Sequence, residues 1–213
     1  MLLYLHGFAS GPGSAKAVDL ARRFAADGER LELADLTPGP LGFERSTPTS
    51  MLAVVRGLLE PARPPHVLIG SSLGGWLSAH TASRDPAVER LILLAPAFNL
   101  VERWLGRLGP EQVAAWRRDG LEVDHHATGT RRRIGHAFIE DAGRYAPYPE
   151  VRVPTLVIAG RQDEIVPLAD IERFVAQTPS ARLLVLDDGH GLERSYARIY
   201  AEASAFLRAS PPA

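Results

Sequence analysis

The sequence predicts an α/β protein: a mainly parallel sheet of about six strands, helices on both faces and a small helical cap. Three observations carry this. Six short apolar runs alternate with segments of helical spacing. The runs are rich in leucine and β-branched residues with little two-residue alternation, as in strands covered on both faces. One segment, 97–153, is far longer than a connection between strand and helix requires.

In chain order, Leu2 to Leu5 is the first strand, and Ala15 to Asp27 the first helix. Arg30 to Leu36 follows as a strand, then a loop marked by Pro38, Gly39, Pro40, Gly42 and Pro48. Pro48 to Leu59 has helical spacing and is stopped by Pro61, Pro64 and Pro65 before the strand His66 to Ile69. Leu73 to Arg84 is the next helix and Leu91 to Ala95 the next strand. Thr155 to Ala159 and Arg182 to Leu186 complete the sheet, with helices at Asp170 to Gln177 and Tyr196 to Leu207. Within 97–153, Leu100 to Leu108 and Glu111 to Arg118 read as amphipathic helices divided by Gly109-Pro110. Their apolar stripe contains Trp104, Leu105, Val113 and Trp116.

Composition bounds the class. A chain of 213 residues, 46% hydrophobic and 23% charged, suits one α/β domain over 1–213, with 97–153 as an insertion within it. A net charge of −1 supplies no basic field for a nucleic acid, and Arg131-Arg132-Arg133 is the only sizeable basic run. No cysteine is present, so no disulfide, thiolate zinc site or cysteine nucleophile is expected. The N-terminus enters a strand at once, without a charged leader or membrane-length apolar run, and the expectation is a cytoplasmic protein with no membrane partner.

The chemistry begins at Gly70-Ser71-Ser72-Leu73-Gly74, directly after His66-Val67-Leu68-Ile69. A strand running into G-x-S-x-G is the pattern of a nucleophile elbow: the turn is too sharp for bulky neighbours, and the serine stands at the start of the next helix. Ser72 is therefore the candidate nucleophile, with Ser71 pointing away from the reaction. Two later strands end at polar residues of complementary type. Thr155 to Ala159 runs into Gly160-Arg161-Gln162-Asp163, and Arg182 to Leu186 into Asp187-Asp188-Gly189-His190. In a parallel sheet those strand ends share one edge, where Ser72, Asp163 and His190 can meet. Glu164, Asp187 and Asp188 are alternative carboxylates, and the latter two can instead hold the histidine loop through backbone amides. The loop His6-Gly7-Phe8-Ala9-Ser10 leaves the first strand at the same edge. Acyl transfer needs backbone amides aimed at a developing oxyanion, and those of Phe8 and Leu73 are the candidates.

Leu3-Tyr4-Leu5-His6-Gly7-Phe8-Ala9-Ser10, Ser14-Ala15-Lys16-Ala17 and Gly70-Ser71-Ser72-Leu73-Gly74-Gly75 together resemble the small bacterial YqiA-type esterases of the α/β-hydrolase superfamily. The second half, with Ala95-Pro96-Ala97-Phe98 and Gly160-Arg161-Gln162-Asp163-Glu164-Ile165-Val166-Pro167, is also similar to small serine thioesterases. The resemblance implies an α/β-hydrolase fold and a serine hydrolase acting on a small-molecule ester or thioester, without cofactor or metal. It does not imply a particular substrate. The same residues leave open hydrolysis of amide, lactone or carbon–carbon bonds, and a non-catalytic small-molecule binder on the same shell.

The cap leaves the catalytic edge, so Trp104 and Trp116 are candidate substrate-binding residues. Other residues take plainer expectations. Asp124-His125-His126 reads as a solvated turn rather than a metal site, and His6 as a brace for its loop. His66 and His80 read as surface or packing residues, and His136 as part of a solvent-facing basic stretch.

Overall fold

The computed structural model describes residues 1–39 and 42–209; Pro40, one marker of the early loop, lies outside them. Six parallel strands form the sheet: β1 Leu2–Leu5, β2 Leu31–Leu33, β3 His66–Ser71, β4 Val88–Leu94, β7 Thr155–Gly160 and β8 Ala181–Leu186. Their order is β2-β1-β3-β4-β7-β8. Helices α1 Ala15–Ala26, α2 Pro48–Leu59, α3 Leu73–Ala82, α6 Leu168–Ala176 and α7 Tyr196–Arg208 connect and cover the sheet. The segment between β4 and β7 holds α4 Leu100–Asp119, strands β5 Leu121–His125 and β6 Thr130–Ile134, and α5 Ala137–Ala142.

Both faces of the sheet are buried. Leu3, Leu5, Leu68, Leu91, Leu93 and Val157 face one core with α2, α3 and α6. Tyr4, Ile69, Ile92, Leu94, Leu156 and Ile158 alternate with them and face a second core with Ala17, Leu20 and Phe24 of α1 and Ile199 and Ala203 of α7. Side chains of a strand point alternately to opposite faces, so an unbroken apolar run is what a doubly covered strand requires.

The strand expected over Arg30 to Leu36 is only three residues long. The Leu36 amide is taken by His6 Nε2 at 3.2 Å, and that of Thr37 by Asp35 Oδ1 at 3.0 Å, so the chain leaves the ladder after Leu33. The other end of the His6 ring donates from Nδ1 to the Gly7 carbonyl at 2.8 Å, which makes it a brace between two loops. At α2, Thr47 and Ser50 form a reciprocal capping box with Pro48 at the first turn.

The segment 97–153 departs from the expectation of a helical cap. Its two helices are present as one element, α4, broken at Gly109 with φ 73° and ψ 168° before Pro110. They are followed by an antiparallel hairpin that was not expected. Leu121, Val123 and His125 are at least partly buried, while Glu122 and Asp124 face outward. Asp124-His125-His126 is therefore strand end and turn: His125 is 4% exposed, and its Nδ1 pairs with Thr128 Oγ1 at 3.1 Å. Arg131 and Arg133 reach Glu122 across the ladder at 3.3 Å. Arg132 turns inward to Glu44 through two hydrogen bonds of 2.7 and 2.6 Å, so the basic run is strand β6 with its charge answered within the chain. His136 is likewise buried, beneath the Trp116 ring.

His80 is packed between the Trp76 and Tyr145 rings, and its Nε2 bonds the Ala146 carbonyl at 3.0 Å. Burial pushes the imidazole down to about 4; the Ala146 bond acts against this and nearby Arg84 adds to it. Unfolding releases a histidine of ordinary basicity, near ~6.5. Its contribution to stability is complete above that value and is lost as pH falls from ~6.5 to ~4, with a ceiling of about 3 kcal/mol. Equilibrium urea unfolding at pH 7 and 4.5 checks this: His80→Gln should lower stability but flatten the pH dependence. An unchanged slope in that variant would remove His80 from the acid response.

Candidate active site

Residues from four strand ends converge at one edge of the sheet. Ser72 sits between β3 and α3 with φ 52° and ψ −116°, a conformation that costs a non-glycine residue about 1 to 3 kcal/mol. Three hydrogen bonds to its carbonyl, from the amides of Gly75, Trp76 and Ala97, and one from its own amide to Leu94 hold the strained turn. The flanking glycines have a steric reason. A Cβ on Gly74 would collide with the Leu5 and His6 carbonyls, and one on Gly70 with the Gly74 carbonyl and the Ser78 hydroxyl. β1 therefore passes directly against the elbow.

The Ser72 hydroxyl lies 3.0 Å from His190 Nε2. On the far side of the ring, Nδ1 meets Asp163 Oδ2 at 2.8 Å and Oδ1 at 3.0 Å. The Asp163 side chain is 1% exposed. Burial alone would raise its carboxyl, but hydrogen bonds from His190 and from the Val166 and Ile165 amides outweigh this, leaving it below the usual carboxylate range. The other carboxylates go elsewhere. Asp188 accepts from the Gly189 and Arg194 amides and the Ser195 hydroxyl, shaping the loop that carries His190. Asp187 takes the Gln162 amide, and Glu164 is exposed.

Phe8 and Leu73 flank Ser72 from two directions, and neither backbone N–H has an acceptor among the described residues. Both residues line a cavity of about 630 Å³ that also contains Ser72 and His190. Its apolar wall includes Leu100, Trp104, Leu108, Leu121 and Val123, all from the 97–153 segment. Trp104 meets the Phe8 ring edge-on at 4.8 Å. Trp116 is not on this wall: it is 1% exposed, donates from Nε1 to the Ile134 carbonyl at 2.9 Å, and lies behind Trp104. An amphipathic stripe does not distinguish the tryptophan facing the cavity from the one supporting it.

Several lining residues were not anticipated, among them His126 and Lys16. His126 reaches the cavity because its amide bonds the Ala9 carbonyl at 2.8 Å, joining hairpin to oxyanion-side loop. Lys16, on the first turn of α1, is 8% exposed and donates to Ser71 Oγ at 3.1 Å. The Ser71 hydroxyl is thus paired with Lys16, and that of Ser72 with His190. A lysine inside the apolar pattern of α1 was the available signal for Lys16.

The family model described as "Uncharacterised protein family (UPF0227)" matches residues 1–207. The chain belongs to this UPF0227 family. It is 30% identical to a pimeloyl-[acyl-carrier protein] methyl ester esterase of Xanthomonas axonopodis pv. citri, over 88% of this chain and 86% of that protein. Among solved structures, alpha/beta hydrolase domain-containing protein 10 from mouse superimposes with a TM-score of 0.78 at 23% identity, covering 97% of this chain and 88% of that one. Est1E from Butyrivibrio proteoclasticus gives a TM-score of 0.73 at 18% identity, over 98% and 88%. The fold of this UPF0227 member is that of the α/β-hydrolases, and by its relationships it is an ester hydrolase. Among its described residues, no helix is long and apolar enough to cross a membrane.

Proposed function

We propose that the protein is a serine hydrolase that cleaves carboxylic esters or thioesters through an acyl-enzyme on Ser72. The supporting observation is the unbroken hydrogen-bonded line from Ser72 through His190 to Asp163, with spans of 3.0 and 2.8 Å. Neutral His190 takes the Ser72 proton at Nε2 as the oxygen attacks the substrate carbonyl. Asp163 holds Nδ1–H and stabilises the imidazolium that forms. The Phe8 and Leu73 amides receive the oxyanion, a contribution of about 3 kcal/mol per donor. His190 then gives its proton to the departing alkoxide or thiolate. Water attacks the acyl-enzyme, with His190 as base, and the acid is released.

In this reading 97–153 is the cap that selects the acyl group. Phe8, Trp104 and Leu108 form an apolar wall beside the nucleophile, and a methyl ester of an acyl chain, as in the names of the curated relatives, belongs in the panel to be tried. Esters and thioesters of graded chain length, run with a serine-directed fluorophosphonate probe, test the assignment. Turnover with probe attached to Ser72 supports it; no turnover and no attachment would indicate a binding protein. The same panel separates the tryptophans. Trp104→Ala should open the wall and move the kcat/KM optimum to longer chains. Trp116→Ala should chiefly cost stability, about 3 to 5 kcal/mol. A Trp104→Ala variant that stays folded with unchanged relative rates would remove it from substrate selection.

A further inference from the structure

The cavity has two chemically different halves, built on opposite faces of the sheet. Phe8, Leu100, Trp104 and Leu108 belong to one core, whereas Tyr4 and Tyr196 belong to the other. On the second side the lining is polar: Tyr4, Ser10, Ser14, Lys16 and Ser71. We propose that this recess is an anion subsite, in which the Lys16 ammonium receives a carboxylate carried by the leaving group of the substrate. The proposal rests on the serine hydrolase reading, with the acyl chain against the apolar wall.

A lysine ammonium has three N–H donors. Lys16 uses one, toward a neutral hydroxyl, and among the described residues no carboxylate lies within 4 Å of it. A buried cation without a counter-ion is costly unless something else compensates it. Its burial pushes it down to about 8, while Asp163, Asp188 and Glu193 support the charge from a distance, so the ammonium form still predominates at neutral pH. The hydroxyls of Tyr4, Ser10, Ser14 and Ser71 can add donors. Burial raises the Tyr4 phenol, which interacts with Ser71 and Ser14 and stays protonated. One ammonium answers one negative charge, and Glu193, the only carboxylate among the described lining residues, disfavours a second. A carboxylate fits this balance better than a phosphate dianion. Arg103 stands on the other side, where it donates to the Phe98 and Ile165 carbonyls and its charge faces Asp170 at 3.5 Å; its Nη2 has no partner among the described residues, and it would receive a carboxylate on the acyl side instead. Because Lys16, Ser71 and Ser72 line one cavity, the carboxylate belongs on a short leaving group, as in an ester of a short hydroxy acid.

The test compares kcat/KM for the butyryl ester of glycolic acid with that for the butyryl ester of glycolamide, its uncharged counterpart. Wild type should prefer the charged ester by about 10- to 100-fold, the range expected of one buried charge-assisted contact. In Lys16→Met the ratio should fall toward one. Wild type alone gives a second reading that needs no variant: the ratio should decline as pH rises through about 8, where Lys16 loses its proton. Of the other groups that face Lys16, Tyr4 and Tyr196 titrate above this range and Asp163 and Asp188 below it; Glu193 and His190 face both esters alike. A wild-type ratio of one, a ratio that survives both Lys16→Met and alkaline pH, or a preference instead for methyl hydrogen succinate over methyl butyrate overturns the subsite. Under any of these results, continued turnover of the glycolamide ester and probe attachment to Ser72 keep the hydrolase reading. Loss of both overturns that reading and the subsite with it.

Discussion

Ser72→Ala should lower ester turnover by roughly six orders of magnitude and abolish covalent attachment of a fluorophosphonate. That is about 8 kcal/mol of lost transition-state stabilisation, with the residual rate coming from the amides of Phe8 and Leu73 and from binding. The fold should survive, because the carbonyl and amide of residue 72 carry the elbow's hydrogen bonds and the side chain carries none but that to His190. Alanine keeps the Cβ, so the positive φ remains as strained as before. Far-UV circular dichroism and the urea midpoint establish integrity before rates are compared. A folded alanine variant that still takes up the probe would place the nucleophile elsewhere.

Asp163→Asn should cost about 10⁴ in turnover. Asp163 Oδ1 already accepts two backbone amides, from Ile165 and Val166, so the asparagine oxygen is drawn to that position and its NH₂ is presented to His190 Nδ1. A donor there favours the opposite imidazole tautomer, with the proton on Nε2, which cannot receive the Ser72 proton. Asp188→Asn should be far milder, since Asp188 does not touch the imidazole and anchors only its loop; asparagine keeps one of the two acceptor oxygens, enough for either the Gly189 amide or the Arg194 amide and Ser195 hydroxyl. If Asp188→Asn or Glu164→Gln proved more damaging than Asp163→Asn, the acid would have to be reassigned.

The sheet was legible because its strands are apolar along their whole length, and the elbow because its glycines answer local collisions. α1 and α2 begin where read, at Ala15 and Pro48. The hairpin was missed although Leu121-Glu122-Val123-Asp124-His125 alternates with a period of two; charged residues on its outer face and the arginine run of its partner strand obscured the pattern. Sequence order could place Asp163 and Asp188 only at the same edge. Which of them meets His190 depends on the course of the loops, set by amides of Val166 and Arg194 that no side-chain pattern reveals. Depth was only faintly legible: Lys16 shares the apolar face of α1 with Ala17, Leu20 and Phe24, which Arg22 and Arg23 do not, and that spacing is the sole local mark of its burial.

The hairpin's attachments also bear on how substrates arrive. His126 is tied to Ala9, Gly135 to Glu44, and Arg132 to the same Glu44, so the roof of the cavity is fastened to the body on more than one side. A fastened roof needs no lipid–water interface to lift it. Entry is then a matter of threading through a standing aperture, and the rate should follow the concentration of dissolved monomeric ester, without the jump at the critical micelle concentration that marks a lipase with a hinged flap.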